Sequence, residues 1–248
     1  MILRLISNIT ISQLTKWNGQ DRSEKFTMNF VNEVEIESTW ANQTDTAKIT
    51  LPKNVYFVNS QGKKVTWSDK NIISGTTSPI LMRGDKIDIS LGYIYTDSGS
   101  DKIDLNNEFS GFITKVNPRI PIQIECEDDM YILKQIQSPN KTWLSSKYDL
   151  EGMLAEMLQG TPFAAVTGVK VSNKISTKIG TFITHNETVS QVLDRLKKEA
   201  HFNAFIRRNS DGSKELRCGS IVYYPKDQKE VIDGIEVERD FIFDFQKN

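Results

Sequence analysis

Arg83-Gly84-Asp85-Lys86-Ile87-Asp88-Ile89-Ser90-Leu91 is the stretch from which the fold class is read. Its first three residues are turn formers, since Gly accepts conformations closed to other residues and Asp bonds its own nearby backbone. From Ile87 onward apolar and polar residues alternate strictly. A strand would therefore put Ile87, Ile89 and Leu91 on one dry face and Asp88 and Ser90 on a wet one. A helix would scatter the same residues around its circumference.

Outward from this stretch the same period recurs. Phe26, Met28 and Phe30 alternate with Thr27 and Asn29. Val34 and Ile36 alternate with Glu35 and Glu37, and Ala47, Ile49 and Leu51 with Thr46, Lys48 and Thr50 before Pro52 ends the run. Ile120, Ile122 and Ile124 alternate with Pro121, Gln123 and Glu125. Turn chemistry at Gln61-Gly62, in the stretch from Asp97 to Asp101 and at Asn117-Pro118 separates the runs. Short strands joined by turns, with no helix between them, suggest a small antiparallel barrel or sandwich, and an antiparallel β-barrel is the form expected for the domain over residues 1–125.

Beyond Glu125 the period changes. Asp128 is expected to cap a short helix with Asp129 in its first turn, Ile132, Leu133 and Ile136 forming the apolar side. A second helix is expected from Asp149, with Leu150, Met153, Leu154, Met157 and Leu158 at helical spacing and Gly160 as its stop. Thr188 followed by Gln191 forms a capping box, and Val189, Val192, Leu193, Leu196 and Ala200 make the apolar stripe of a third helix. Ala204–Arg207 and Glu215–Cys218 flank an Asp211-Gly212 hairpin turn. Residues 126–219 thus read as an α+β insert domain. Residues 220–248 return to alternation at Ile235 and Val237 and then Phe241, Phe243 and Phe245, a C-terminal β segment that could begin a second barrel. The fold class expected is mainly β with an α+β insert, the second barrel incomplete or absent.

With 31 basic and 32 acidic residues the formal net charge is −1, without the basic excess that phosphate neutralisation requires, so specific nucleic-acid binding is not expected. No apolar run approaches the ~18 residues of a membrane span. The N-terminal residues alternate rather than forming a solid apolar run before a cleavage site, so no secretory signal is expected. Cys126 and Cys218, the only cysteines, share strand parity with apolar neighbours and read as buried thiols suited to a reducing cytoplasm.

Few residues could carry chemistry. Glu125, Glu127, Asp128 and Asp129 are the densest acidic group, but they read as a strand's wet face running into a helix cap rather than a cation site. His185 and His201 flank the third helix and limit imidazole chemistry. The nucleophile-elbow, phosphate-loop and zinc-protease motifs are absent. Trp17, Trp40, Trp67 and Trp143 are scattered, which favours packing over a sugar-stacking platform. No catalytic residue, metal ligand or cofactor is expected, and the chain reads as a non-enzyme. Two rival readings stay open, a carbohydrate-binding module and a cell-wall hydrolase using Glu125 and Asp128.

Three segments carry a resemblance. Met82–Tyr93 is a Gly-Asp turn before an alternating strand ending in Gly-Tyr; Phe109–Val116 contains a Ser-Gly-Phe-Ile strand; Ile124–Leu133 continues with an acidic pair, an aromatic and aliphatic residues. Together with Thr188–Leu196 and the Phe205–Cys218 hairpin, this series resembles the baseplate or tail-hub proteins of contractile-tailed phages and related injection systems, of the late-control-protein-D type. The resemblance implies a structural adaptor that assembles in the bacterial cytoplasm into a homotrimeric ring within a virion tail or injection particle. The implied partners are tail tube and spike proteins. For self-association the sequence offers the edge of the first barrel with Phe241, Phe243 and Phe245, because unpaired edges and exposed aromatics invite partners.

Overall fold

The computed structural model describes residues 3–39, 42–66, 78–97, 100–172, 179–209, 211–219, 222–223, 229–232, 235–238 and 242–243. Among the described residues it is mainly antiparallel β with a few helices. It divides into two compact units, one made of Met1–Glu37 and Asp45–Asp128, the other of Ser38–Thr44 and Asp129–Asn248.

The first unit contains β1 (Leu3–Ser12), β2 (Lys25–Met28), β3 (Glu33–Glu37), β4 (Thr46–Leu51), β5 (Tyr56–Asn59), β6 (Lys64–Thr66), β7 (Lys86–Asp97), β8 (Ser100–Asn117) and β9 (Ile122–Asp128). They form one nine-stranded antiparallel sheet in the order β3-β4-β9-β8-β7-β1-β2-β5-β6. No ladder joins β3 to β6 among the described residues. Alternation sets the dry face: Ile9, Ile11, Ile49, Leu51, Ile87, Ile89 and Ile124 are each fully buried. Each such side chain contributes about 1.5–3 kcal/mol by leaving water.

Two of the expected runs are shorter in the structure. The strand at Phe26 ends with Met28, leaving Phe30 68% exposed, and the strand holding Ile122 and Ile124 begins only after the Pro121 ring, leaving Ile120 64% exposed.

In the second unit the helices are α1 (Met130–Leu133), α2 (Leu150–Leu158), α3 (Phe163–Thr167) and α4 (Val189–Ala200). Asp149 caps α2 by accepting from the Gly152 amide at 2.8 Å, and Gly160 follows with φ +72°. Thr188 and Gln191 close the capping box of α4 in both directions. The cap of α1 differs from expectation: Asp129, not Asp128, takes the cap position, and its side chain makes no capping bond because it pairs with Lys214 instead. Asp128 remains the last residue of β9. Strands β10 (Lys141–Trp143) and β12 (Phe182–Thr184) form a pair, and β11 (Val169–Val171), β13 (Asn203–Arg208) and β14 (Lys214–Gly219) a three-stranded sheet in which β11 runs parallel to β14. The apolar faces of α2 and α4 close over Trp143, Phe163, Val169 and Leu216. Among the last described residues, β15 (Val222–Tyr223) pairs with β18 (Ile242–Phe243), enclosing the hairpin of β16 (Lys229–Ile232) and β17 (Ile235–Glu238).

Candidate functional site

The β7–β8 hairpin, with β1 beside it, outruns the other strands of its sheet, and its position starts from a buried charge pair at its root. Asp85, directly before β7, is fully buried, and Arg22 is nearly so. Both guanidinium Nη atoms donate to the two carboxylate oxygens, at 2.9 and 3.0 Å. The same carboxylate accepts from the Leu14 and Met82 amides and from the Thr15 hydroxyl, at 3.1, 2.8 and 3.0 Å. Arg22 also donates to the Pro79 and Ile80 carbonyls and to Ser78 Oγ. With so many donors and acceptors satisfied, the pair offsets its desolvation and ties the stretch from Gln13 to Arg22 to the turn that launches β7. The Gly84 amide and Asp85 carbonyl then bond across to Ile113 of β8.

From this root β1, β7 and β8 extend side by side. Arg4, Ile94 and Ile103 stand opposite one another, then Leu5, Tyr93 and Asp104, Ile6, Gly92 and Leu105, Ser7, Leu91 and Asn106, and Asn8, Ser90 and Asn107. Neither β2 nor β9 reaches this far, because β2 pairs with β1 only from Ile9 and β9 with β8 only from Gly111. Among the described residues, Arg4–Asn8 and Ile103–Asn107 are therefore sheet edges. A register shift at Ile89/Ser90 leaves Glu108 without a residue opposite it. Side chains of β8 on the distal side of this bulge thereby change face, and Ile103 and Leu105 point away from the face that carries Phe109. Ile103 is 66% exposed and Leu105 37%, while Leu5 and Tyr93 on the other face are 75% and 45% exposed. Gly92 makes the close strand approach possible, since a Cβ there would lie 1.9 Å from the Asp104 carbonyl oxygen.

The other residues singled out in the sequence do not assemble into a site. Alternation along β9 sends Glu125 and Glu127 to the half-exposed side and Asp128 to the buried one. Glu125 pairs with Lys115 at 3.0 Å, and buried Asp129 with Lys214 at 2.5 Å. No group of three His, Cys, Asp or Glu residues is placed to hold a metal among the described residues. His185 is exposed beside Asn186, and His201 ends α4 with φ 56°. Trp143 is fully buried and donates to Thr184 Oγ1 at 3.0 Å, a packing role. Trp17 closes a tight turn with Gln20. Trp40, Trp67, Phe241 and Phe245 lie outside the described residues, and Phe243 stands opposite Val222 in β18.

Beside Trp143 the Lys141 ammonium lies 4.4 Å from its ring and 4.6 Å from that of Tyr148, while bonding the Tyr148 hydroxyl and Glu156. The hydrogen bond between them holds the Glu156 carboxyl below its ordinary value and the Lys141 ammonium above its own. Cys126 and Cys218 are buried free thiols; burial pushes Cys126 far up and Cys218 to about 12, so neither is a ready nucleophile. No helix among the described residues is long and apolar enough to cross a membrane.

No protein-family model matches the chain, and no curated protein does. Two solved structures are similar in part. One is the tail protein from Neisseria meningitidis MC58, at 10% identity and a TM-score of 0.46, covering 86% of this chain and 51% of that one. The other is the 43 kDa tail protein of prophage MuSo2 from Shewanella oneidensis, at 10% identity and a TM-score of 0.45, covering 84% and 53%. This chain spans about half the length of each.

Proposed function

We propose that the chain is a non-enzymatic structural component of a phage tail or a related injection particle, a hub that assembles into a homotrimeric ring and joins tail tube to spike. The observation that carries this reading is where the hub-like segments fall. Met82–Tyr93, Phe109–Val116 and Ile124–Leu133 are the launching turn with most of β7, the second half of β8, and most of β9 with α1. Thr188–Leu196 and Phe205–Cys218 are α4 and the β13–β14 hairpin. The segments that resemble the family thus fall, in order, on regular elements of the two units, which supports the reading. The near-neutral charge is consistent with a conduit past which nucleic acid or protein slides without being gripped.

Absolute mass by light scattering behind a sizing column, across a tenfold concentration range, tests the ring. A mass near three times 28.3 kDa supports it. A chain that stays monomeric, or stops at a dimer, removes the ring reading for these residues.

A further inference from the structure

The outer edge of β8 has a sequence that complements itself. Over Lys102-Ile103-Asp104-Leu105 the strand presents opposite charges on either side of an apolar residue, and from Ile103 to Asn107 it pairs with β7 alone among the described residues. Exposed edges are ordinarily blunted by charges, bulges or a covering element. Here the nearest bulge lies further along, at Glu108, and the two charges have opposite sign.

We propose that this edge pairs with the same edge of a second copy, antiparallel and about a two-fold axis at Ile103, so that two ribbons become one continuous sheet. An antiparallel two-fold pairing is isologous, each contact occurring twice. With Ile103 facing its own counterpart, Lys102 of each copy stands directly opposite Asp104 of the other, giving two opposite-charge pairs on one face. Asp101 stands opposite Leu105 on the other face, where both copies' Ile103 and Leu105 gather over the axis. Moving the axis one residue either way sets Lys102 against Lys102 or Asp104 against Asp104, so charge selects the register. Directly opposed side chains come within about 5 Å, and each favourable pair contributes roughly 0.2–1 kcal/mol. The exposure of Ile103 and Leu105 fits the same pairing, since the bulge turns them from the sheet's own core face to the face on which the second copy's Ile103 and Leu105 would lie beside them. This pairing does not depend on the ring; it links two chains whether or not each also belongs to one.

The test uses the full chain and three variants. Asp104→Lys opposes Lys102 with a like charge and should weaken dimerisation about tenfold or more. The exchange Lys102→Asp with Asp104→Lys restores opposite pairs and should restore dimerisation. Ile103→Cys should form a disulfide-linked dimer under mild oxidation, because the two positions face each other on the axis, while Cys126 and Cys218 stay buried. Failure of the exchange to rescue Asp104→Lys overturns the proposal. So does an Ile103→Cys chain that never cross-links while pairwise association sensitive to Asp104→Lys persists, an outcome that points instead to head-to-tail addition through the β1 edge. A trimer indifferent to all three variants leaves the ring standing and removes this contact, whereas a wild-type monomer removes both.

Discussion

At the scale of single residues, Asp85 and Lys141 carry contrasting loads. Asp85 has no access to water, and Arg22 very little. Replacing Asp85 with Leu would strand a buried guanidinium together with the Leu14 and Met82 amides, and breaking a buried pair from one side costs about 3–5 kcal/mol. Urea unfolding should register that loss. Asp21, whose contact with Lys16 is exposed, should change stability by well under about 1 kcal/mol when replaced by Asn. Lys141 and Glu156 are open to water, so their signature is titration rather than stability. Glu156 is held below its ordinary value by its bond to Lys141. Whatever it contributes is therefore present at neutral pH and is lost as pH falls through the carboxylate range. The share from Lys141 is lost as pH rises past the ordinary lysine value. Lys141→Met should shift the Glu156 titration upward, followed by its carboxyl carbon resonance; an unmoved curve would mean that the pair is not populated in solution. Neither constellation was legible from spacing, because Arg22 and Asp85, and Lys141 and Glu156, meet only when separate elements fold together.

At the scale of elements, the cores of the alternating runs and the caps at Asp149 and Thr188 were legible, whereas the ends of those runs, the cap of α1 and interrupted alternation were not. Ile87 and Ile89 show their face in the sequence, as do Thr188 and Gln191 their cap. Thr188→Ala should cost about 1 kcal/mol by removing the bond to the Gln191 amide, measurable as a lowered denaturation midpoint. In β8, Ile103, Leu105, Phe109 and Ile113 share one parity, which read alone implies one buried face. The bulge divides them, leaving the first two exposed and the last two buried. Nothing local marks it beyond the polar run Asn106-Asn107-Glu108, since a bulge is decided by the partner strand as much as by its own. Likewise β11 is too short for its period to show, and its parallel partner β14 lies far along the chain. Gly92 supplies a test of the ribbon as an element. A Cβ there would collide with the Asp104 carbonyl oxygen, which belongs to the backbone and cannot rotate away. Gly92→Ala should therefore pry β7 from β8 locally and speed amide exchange from Ile103 to Asn107. Ile49, in the core of the same sheet, should keep its protection.

At the scale of the whole molecule, each unit has its own closed set of apolar residues, and the division follows from them. Ile9, Ile49, Phe57, Ile89 and Ile124 belong to one core; Leu133, Trp143, Leu154, Leu193 and Leu216 belong to the other. The chain passes from the first unit to the second at Ser38, returns at Asp45 and leaves again at Asp129, so no simple cut separates them. Cooperativity within a core comes from shared packing, and a cavity is felt first by the residues that line it. Ile49→Ala and Leu193→Ala should each cost about 2–5 kcal/mol. If the two cores hold separately, their effects will be separable by hydrogen exchange. Ile49→Ala should speed exchange in β4, β8 and β9 and leave α2, α4 and β14 near their original protection, and Leu193→Ala should do the reverse. Equal acceleration everywhere from either change would show instead that the three chain crossings bind both cores into a single cooperative unit, and that the two-core division ends at geometry.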